Sequence, residues 1–469
     1  MKKQIASIVA LLLAANAHAQ TSAAFGTFEK PFAADSPWNI RPIGPVLGLE
    51  DQLKGTCGPR IEPNAELGPP IFQATAENPP MIVYPILTES GIRELDSVRN
   101  VPSITIPHFP PAVTPAWGGD GHADIFDNST GKIHSFWGLK QVNGLWRARA
   151  YAWTTIGGRG WGDPSRYYQG SRAVGVPPMA GIIRAHEVDD GDDSYNHALA
   201  MSLAQEGLAG KNGQPTYIYP ATRSDLYSAT NHTGTIPEGA LLMLPADYTM
   251  GIQNPTLQKV VQTLKTFGAR VVDENICTPY FIYVETGANF DIFAGVPTGS
   301  QQAVRDELQK IRKNLRQVTT AYSYVDGNGQ PTTADKPSNF NMLSMRGTWT
   351  QPVTYNANTG NLELAAGAAF EQLNGNGWGV SASVPGETGV LWAKPLAGAK
   401  YRFTVTGTGG ASLRFAIFVN GAAPGQYQTP ALTNGQSQAV TWPEGGSLAI
   451  YVRNTANQAG TVRATMIKE

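Results

Sequence analysis

The sequence predicts a mainly β protein: an antiparallel, sandwich or jelly-roll-like region with a few covering helices, followed by a C-terminal β-sandwich. Three observations carry this expectation. Only 15% of the 469 residues are charged, against roughly 25% in ordinary soluble domains. Turn-formers are abundant, with 51 Gly and 34 Pro. Aromatic residues are also plentiful, at 10 Trp, 17 Tyr and 16 Phe; they favour pleated sheets and supply a core that a disordered chain would lack. Together these exclude a long helical bundle or coiled coil. The length fits two or three units, and the formal charge of −1 provides no basic field to attract nucleic acid.

The chain opens as an export signal does. Lys2 and Lys3 precede an apolar run from Ile5 to Ala15, and Ala17-His18-Ala19 forms a small-x-small cleavage site. Residues 1–19 are therefore expected to be a signal peptide and the protein to be secreted or periplasmic. That run is too short to span a bilayer, and no later stretch reaches about 18 apolar residues, so no membrane span is expected. Cys57 and Cys277 are the two cysteines. In an oxidising compartment they could close one disulfide over a long loop, or they could remain buried thiols. No Cys/His spacing points to zinc.

Residues 20–325 form the first, larger unit. Ala123 to Phe126 and Lys132 to Trp137 read as strands around a DNSTG turn, and Asn143-Gly144 is a strong hairpin signal for the next pair. Asn254-Pro255 starts a helix with an N-cap and a first-turn proline. Leu257, Val260, Val261, Leu264 and Phe267 make its apolar stripe, and Gly268 ends it. A second helix follows Ser300, with Val304, Leu308, Ile311 and Leu315 on one face. Residues 326–345, beginning DGNGQPTTADKPSN, have linker composition. Beyond them, 346–469 carries short alternating runs (Tyr401 to Thr406, Leu413 to Val419, Leu448 to Val452, Val462 to Ile467) separated by turns such as Asn420-Gly421 and Asn434-Gly435. This is the pattern of an accessory β-sandwich. Trp349, Trp378 and Trp392 could be sugar-stacking platforms there, or simply core.

Chemistry-bearing residues concentrate between 108 and 232. All six histidines after the leader (His108, His122, His134, His186, His197 and His232) fall in that window. So do ten aromatics between 117 and 168: Trp117, Phe126, Phe136, Trp137, Trp146, Tyr151, Trp153, Trp161, Tyr167 and Tyr168. Aromatic rings beside polar groups suit a sugar, whose apolar face stacks while its hydroxyls hydrogen-bond; a well-packed sheet is the competing explanation. Within Gly118 to Asp124, His122 and Asp124 fall on one strand face and could be a general base with its orienter, two metal ligands, or an ordinary polar strand end. The run Arg184 to Asp193 is rich in acids and could bind calcium through carboxylates, although it lacks EF-hand spacing and reads equally as a solvated turn. His186-Glu187 fails as a zinc-protease motif because position 190 is Asp. Tyr195-Asn196-His197 precedes an apolar stretch and could act on substrate, or His197 could be a satisfied core histidine.

Other motifs are lacking. There is no Walker loop and no GxSxG elbow. Gly157 to Gly162 precedes Pro164 instead of opening a helix, so it is not a dinucleotide fingerprint. It reads as a flexible loop offering Arg159 and Trp161 to a ligand.

Ser36-Pro37-Trp38-Asn39, Asp120-Gly121-His122 with Asp127, Phe136-Trp137 and Asn196-His197-Ala198-Leu199 resemble one recurring pattern. It is similar to a group of secreted bacterial proteins with an SPWN opening, a DGH strand and an NHAL segment. The resemblance spans roughly 35–285, leaves out the C-terminal unit, and implies positions of interest but no reaction.

The expected function is a secreted carbohydrate-active enzyme that cleaves a polysaccharide or oligosaccharide. The hydrolase reading is slightly preferred over the lyase because acids outnumber bases around the cluster. A hydrolase needs two carboxyl groups, about 5–5.5 Å apart for retention and about 6.5–9.5 Å for inversion. The candidates are Asp120, Asp124 and Glu187, with His122 tuning one of them. A lyase would use His197 or Tyr195 as base, with Asn196, Arg184 or a cation neutralising a uronate. Trp117, Trp137, Trp153, Arg159, Trp161, Arg184, Tyr195 and Asn196 are the expected substrate contacts. No metal or cofactor is assigned, calcium apart. A non-catalytic carbohydrate-binding or cell-surface protein is the alternative, and a peptidase is a distant third.

Overall fold

The computed structural model describes residues 24–333, apart from 65, 67, 96–98, 164–167 and 250, and then 353–356, 361–367, 371–374 and 397–469 apart from 424. The leader, Tyr167, Trp349, Trp378, Trp392 and most of the 326–345 segment lie outside the described residues. The protein is mainly β, with 34% strand and 10% helix, in antiparallel and mixed sheets.

An eight-stranded sheet organises the first unit. Seven strands run in the order Arg41–Leu47, Arg316–Val325, Leu241–Met243, Ala269–Asn275, Leu199–Ala204, Phe281–Val284, Arg60–Pro63, and the eighth, Pro331–Thr332, pairs with Arg316–Val325 off this path. Side chains alternate across it. Leu199, Met201 and Leu203 face a core shared with the helices Pro255–Thr266 and Gln301–Asn314. Ala200, Phe281 and Tyr283 face a second core built with Trp38, Phe126 and Trp161. Both helices form where their apolar stripes predict. Asn254 caps the first by accepting from the Leu257 N–H at 3.0 Å, and Gly268 leaves it with φ +76°. A Cβ there would meet the Leu242 carbonyl oxygen at 2.6 Å, so glycine is required.

A six-stranded sheet follows the order Ile71–Ala74, Ala123–Asp127, Lys132–Trp137, Ala150–Thr155, Ile92–Glu94, Arg99–Val101. The Asn143-Gly144 hairpin joins Lys140–Val142 to Leu145–Ala148. Both turn residues have positive φ, 52° and 76°, as a type I′ turn needs. Parallel pairs also occur, between Leu199–Ala204 and Ala269–Asn275, and between Ile71–Ala74 and Ala123–Asp127. Cys57 and Cys277 are joined in a disulfide.

Residues 326–332 do not begin a linker. Strand Pro331–Thr332 pairs back on Arg316–Val325, Asp326 Oδ1 accepts from the Asn328 and Gln330 N–H groups, and the Gly327 N–H donates to the Ala34 carbonyl. Turn composition was read as linker composition, which uses the same residues. In the C-terminal unit a five-stranded and a three-stranded sheet share one core. Phe403 of one sheet stacks on Phe415 of the other with ring centres 4.3 Å apart.

Candidate active site

The Asp120-Gly121-His122 turn is held by neighbouring backbone. The Gly138 N–H donates to the Asp120 carbonyl at 2.7 Å and the Leu139 N–H to that of Gly121 at 2.9 Å. Gly121 adopts φ +46°, and a Cβ on it would touch the Gly138 Cα at 3.1 Å. Asp120 is thereby presented with its Oδ1 accepting from Trp137 Nε1 at 3.0 Å. His122 is only 5% exposed. Its Nδ1 lies 3.4 Å from both the Phe136 carbonyl oxygen and the Ser171 hydroxyl. Burial, aided by the Arg172 charge, pushes the His122 pKa down to about 4, so the ring is neutral near pH 7.

Opposite this turn stands a group of carboxyls whose partners come from distant segments. Asp273 and Glu274 end the strand Ala269–Asn275. Arg172 is fully enclosed, with its guanidinium 4.0 Å from the Tyr283 ring centre and Nη1 donating to Asp273 Oδ2 at 2.6 Å. Asp225 accepts from the Glu274 N–H at 3.0 Å and is close enough to Asp273 to feel its charge. Burial and the charges of Asp273 and Glu274 hold the Asp225 pKa well above the carboxylate range. Burial also raises Asp273, against the Arg172 charge. Asp225 is the member that keeps the proton, because Arg172 stabilises charge on Asp273. Behind it, Glu238 is buried and its pKa is pushed up by burial and by Asp225.

These groups line two adjoining cavities of about 460 and 240 Å³ that share Asp120, His122, Arg172 and Asp273. The larger is walled by Phe281, Tyr283 and Ile276, the smaller by Trp137 and Tyr168. The disulfide forms part of the larger wall through Cys277.

The expected site residues divide. Asp120, His122 and Trp137 line this cleft, and Trp117, 72% exposed, precedes Asp120 by three positions. Asp124 is sealed in the core, where Oδ2 accepts from the Met179 N–H at 2.6 Å; burial pushes its pKa up to about 7. Glu187, His197, Arg184 and Asn196 instead surround a separate, small cavity of about 40 Å³ beside Trp38. There His197 donates from Nδ1 to the Ala198 carbonyl at 2.9 Å and from Nε2 to Glu187 at 3.2 Å. Arg184 binds Glu285 at 3.0 Å, and Asn196 donates to Asp192 at 2.7 Å. Tyr195 is core, with Lys259 over its ring.

The 157–162 loop does not offer both its side chains to a ligand. Trp161 is fully buried, stacked on Trp38 at 5.4 Å and donating to the Val174 carbonyl, while Arg159 binds Asp35 at 3.2 Å. Trp153 lies under Lys132. In the acidic run Asp190 pairs with Lys259. Among the described residues no group of His, Cys, Asp or Glu side chains could hold a metal ion.

Arg172, Asp225, Asp273 and Glu274 were missed because pairwise motifs do not capture residues a hundred positions apart. One signal was available. Asp273-Glu274-Asn275 interrupts the buried run Ala269 to Val272, and polar residues at the carboxyl end of a strand with a parallel neighbour sit where open mixed sheets place ligands.

Compared with family models, curated proteins and solved structures, the chain matches none.

Proposed function

We propose that this protein is an exported glycoside hydrolase acting on a polysaccharide in the cleft between Asp120 and the Asp225–Asp273 pair. The single observation that carries the reading is that three carboxyls, Asp120, Asp225 and Asp273, line one cavity beside Trp137 and Tyr168, two of them with raised pKa values. Carboxyls whose environments separate their pKa values are the means by which glycosidases keep one acid protonated and one ionised. In this scheme the Asp225 proton passes through the pair to the glycosidic oxygen as the bond to the anomeric carbon breaks. Asp120 either takes a proton from the water that attacks that carbon, or attacks the carbon itself, after which water that gives its proton to the pair cleaves the glycosyl–Asp120 ester and frees Asp120. The neutral His122 hydrogen-bonds a sugar hydroxyl, and Trp137, Tyr168 and Phe281 supply apolar surface for the ring. A lyase is less well served, since it must neutralise a uronate and the Arg172 charge is already balanced by Asp273 at 2.6 Å. Export is supported by the leader pattern and by the Cys57–Cys277 disulfide.

A binding protein without turnover is the second reading, favoured by the exposed Trp117. The test is a polysaccharide panel read for new reducing ends and for the ultraviolet absorbance of an unsaturated uronate, with Asp225→Asn, Asp273→Asn and Asp120→Asn in parallel. Reducing ends without absorbance, abolished by each variant, are expected. Absorbance with the reducing ends would favour the lyase. Retention on a glycan without turnover would leave the binding reading standing.

A further inference from the structure

The cleft is unevenly charged. Its lining contributes the carboxyls of Asp120, Asp225, Asp273 and Glu274. Two cations face them. Arg172 gives its Nη1 to Asp273, and its Nε and Nη2 are buried without a hydrogen-bond partner. Arg60 is paired with Glu62. His122 is neutral, and His232, 2.8 Å from Glu274 Oε2, lies fully buried behind that carboxylate. Glu238 backs Asp225 and adds no cation. With Asp225 protonated and Asp273 paired to Arg172, the excess negative charge of the lining comes from Asp120 and Glu274, and inside low-dielectric walls it acts more strongly than in water.

We propose that the subsite bordered by Asp120, Asp273 and Glu274 takes a sugar carrying a free ammonium group, so that the substrate class is a polysaccharide of hexosamines with unacetylated amines. The inference rests on the saccharide reading above and adds the charge of the sugar. A metal ion is a poorer occupant, since among the described residues these side chains form no group that could hold one. An ammonium needs only carboxylates at hydrogen-bond range, while Phe281 and Trp137 accept the sugar face. The crowding that keeps a proton on Asp225 is relieved when a cation enters, so binding near neutral pH releases protons.

The test is calorimetric titration of the mature protein with tetramers of glucosamine, N-acetylglucosamine and galacturonate, in two buffers of different ionisation enthalpy. The glucosamine tetramer is expected to bind about tenfold or more tightly than the acetylated one at low salt, with net proton release and loss of the advantage at high salt. Glu274→Gln, which keeps shape and removes charge, reduces that preference while the folded state is checked by near-ultraviolet circular dichroism. Equal or tighter binding of the N-acetylated or the galacturonate tetramer would overturn the inference and leave the sugar cleft intact. If no tetramer bound, the saccharide reading itself would fall with it.

Discussion

Arg172 Nη1 donates to Asp273 Oδ2 at 2.6 Å across 101 positions of sequence, joining the loop after the six-stranded sheet to the end of a central strand. Removing one partner of a buried ion pair leaves an uncompensated charge and costs about 3–5 kcal/mol. Arg172→Leu is expected to lower unfolding stability by about 3 kcal/mol in urea titration. A change below about 0.5 kcal/mol would show that the pair is not a structural tie.

The proton on the Asp225–Asp273 pair sets a sign for the pH–rate profile. If this pair is the acid, activity on the best panel substrate falls as pH rises through its raised pKa, above the usual carboxylate range. Loss of activity only below the ordinary carboxylate range would exclude the pair from that role. Asp225→Asn is expected to cost about 100-fold or more in turnover while leaving the thermal midpoint near that of the parent.

Asp124 has a folded pKa of about 7, raised from 3.8 by burial. The folded state therefore holds a proton that the unfolded chain has released, so Asp124 increasingly opposes folding as pH rises from about 4 to about 7. Asp124→Asn keeps an acceptor for the Met179 N–H and is expected to be the more stable protein at pH 7, by about 2 kcal/mol or more. Denaturant midpoints of the two proteins should converge near pH 4; a constant difference across that range would refute the linkage.

The His197–Glu187 pair has the opposite dependence on base. Burial disfavours the imidazolium, but the Glu187 charge and hydrogen bond raise its pKa on balance. Its contribution is complete below the unfolded value of about 6.5 and is lost as pH rises through the folded value. The Glu187 pKa is lowered, against burial, by His197, so its share disappears as pH falls through that lowered value. Thermal midpoints of the parent and His197→Gln are expected to differ most at mildly acidic pH and to approach each other in alkali.

The disulfide closes a loop of 220 positions. In the chain-entropy account a loop of that size contributes about 5 kcal/mol. The double variant Cys57→Ser, Cys277→Ser is expected to unfold at markedly lower denaturant and, if the proposed saccharide cleft is correct, to bind sugar more weakly, because Cys277 lines that cleft. Unchanged affinity at low temperature would mean that the wall holds its shape without the bond.

The elements legible in the sequence were those whose signals are local. The Asn254 cap, the Gly268 exit and the Asn143-Gly144 turn announce themselves because cap and turn geometries admit few residue types. Asp120 and His122 were legible for the same reason, a glycine-flanked polar turn at a strand edge. Asp326 to Thr332 was misread because hairpin turns and linkers draw on one vocabulary. Trp161 was misplaced because periodicity does not show which loop aromatics fold inward.

From the residues alone came the β-rich class, the two amphipathic helices, the C-terminal alternating strands and the polar turn at 120–122, all set by backbone sterics and hydrophobic period over a few residues. Only the tertiary structure settled which acids share a site. It separated Glu187 and His197 from Asp120, withdrew Asp124 into the core, and brought Arg172, Asp225 and Asp273 together. Charges interact through space across a few ångströms while their sequence separations run to a hundred positions, and it is strand order and register that convert one distance into the other.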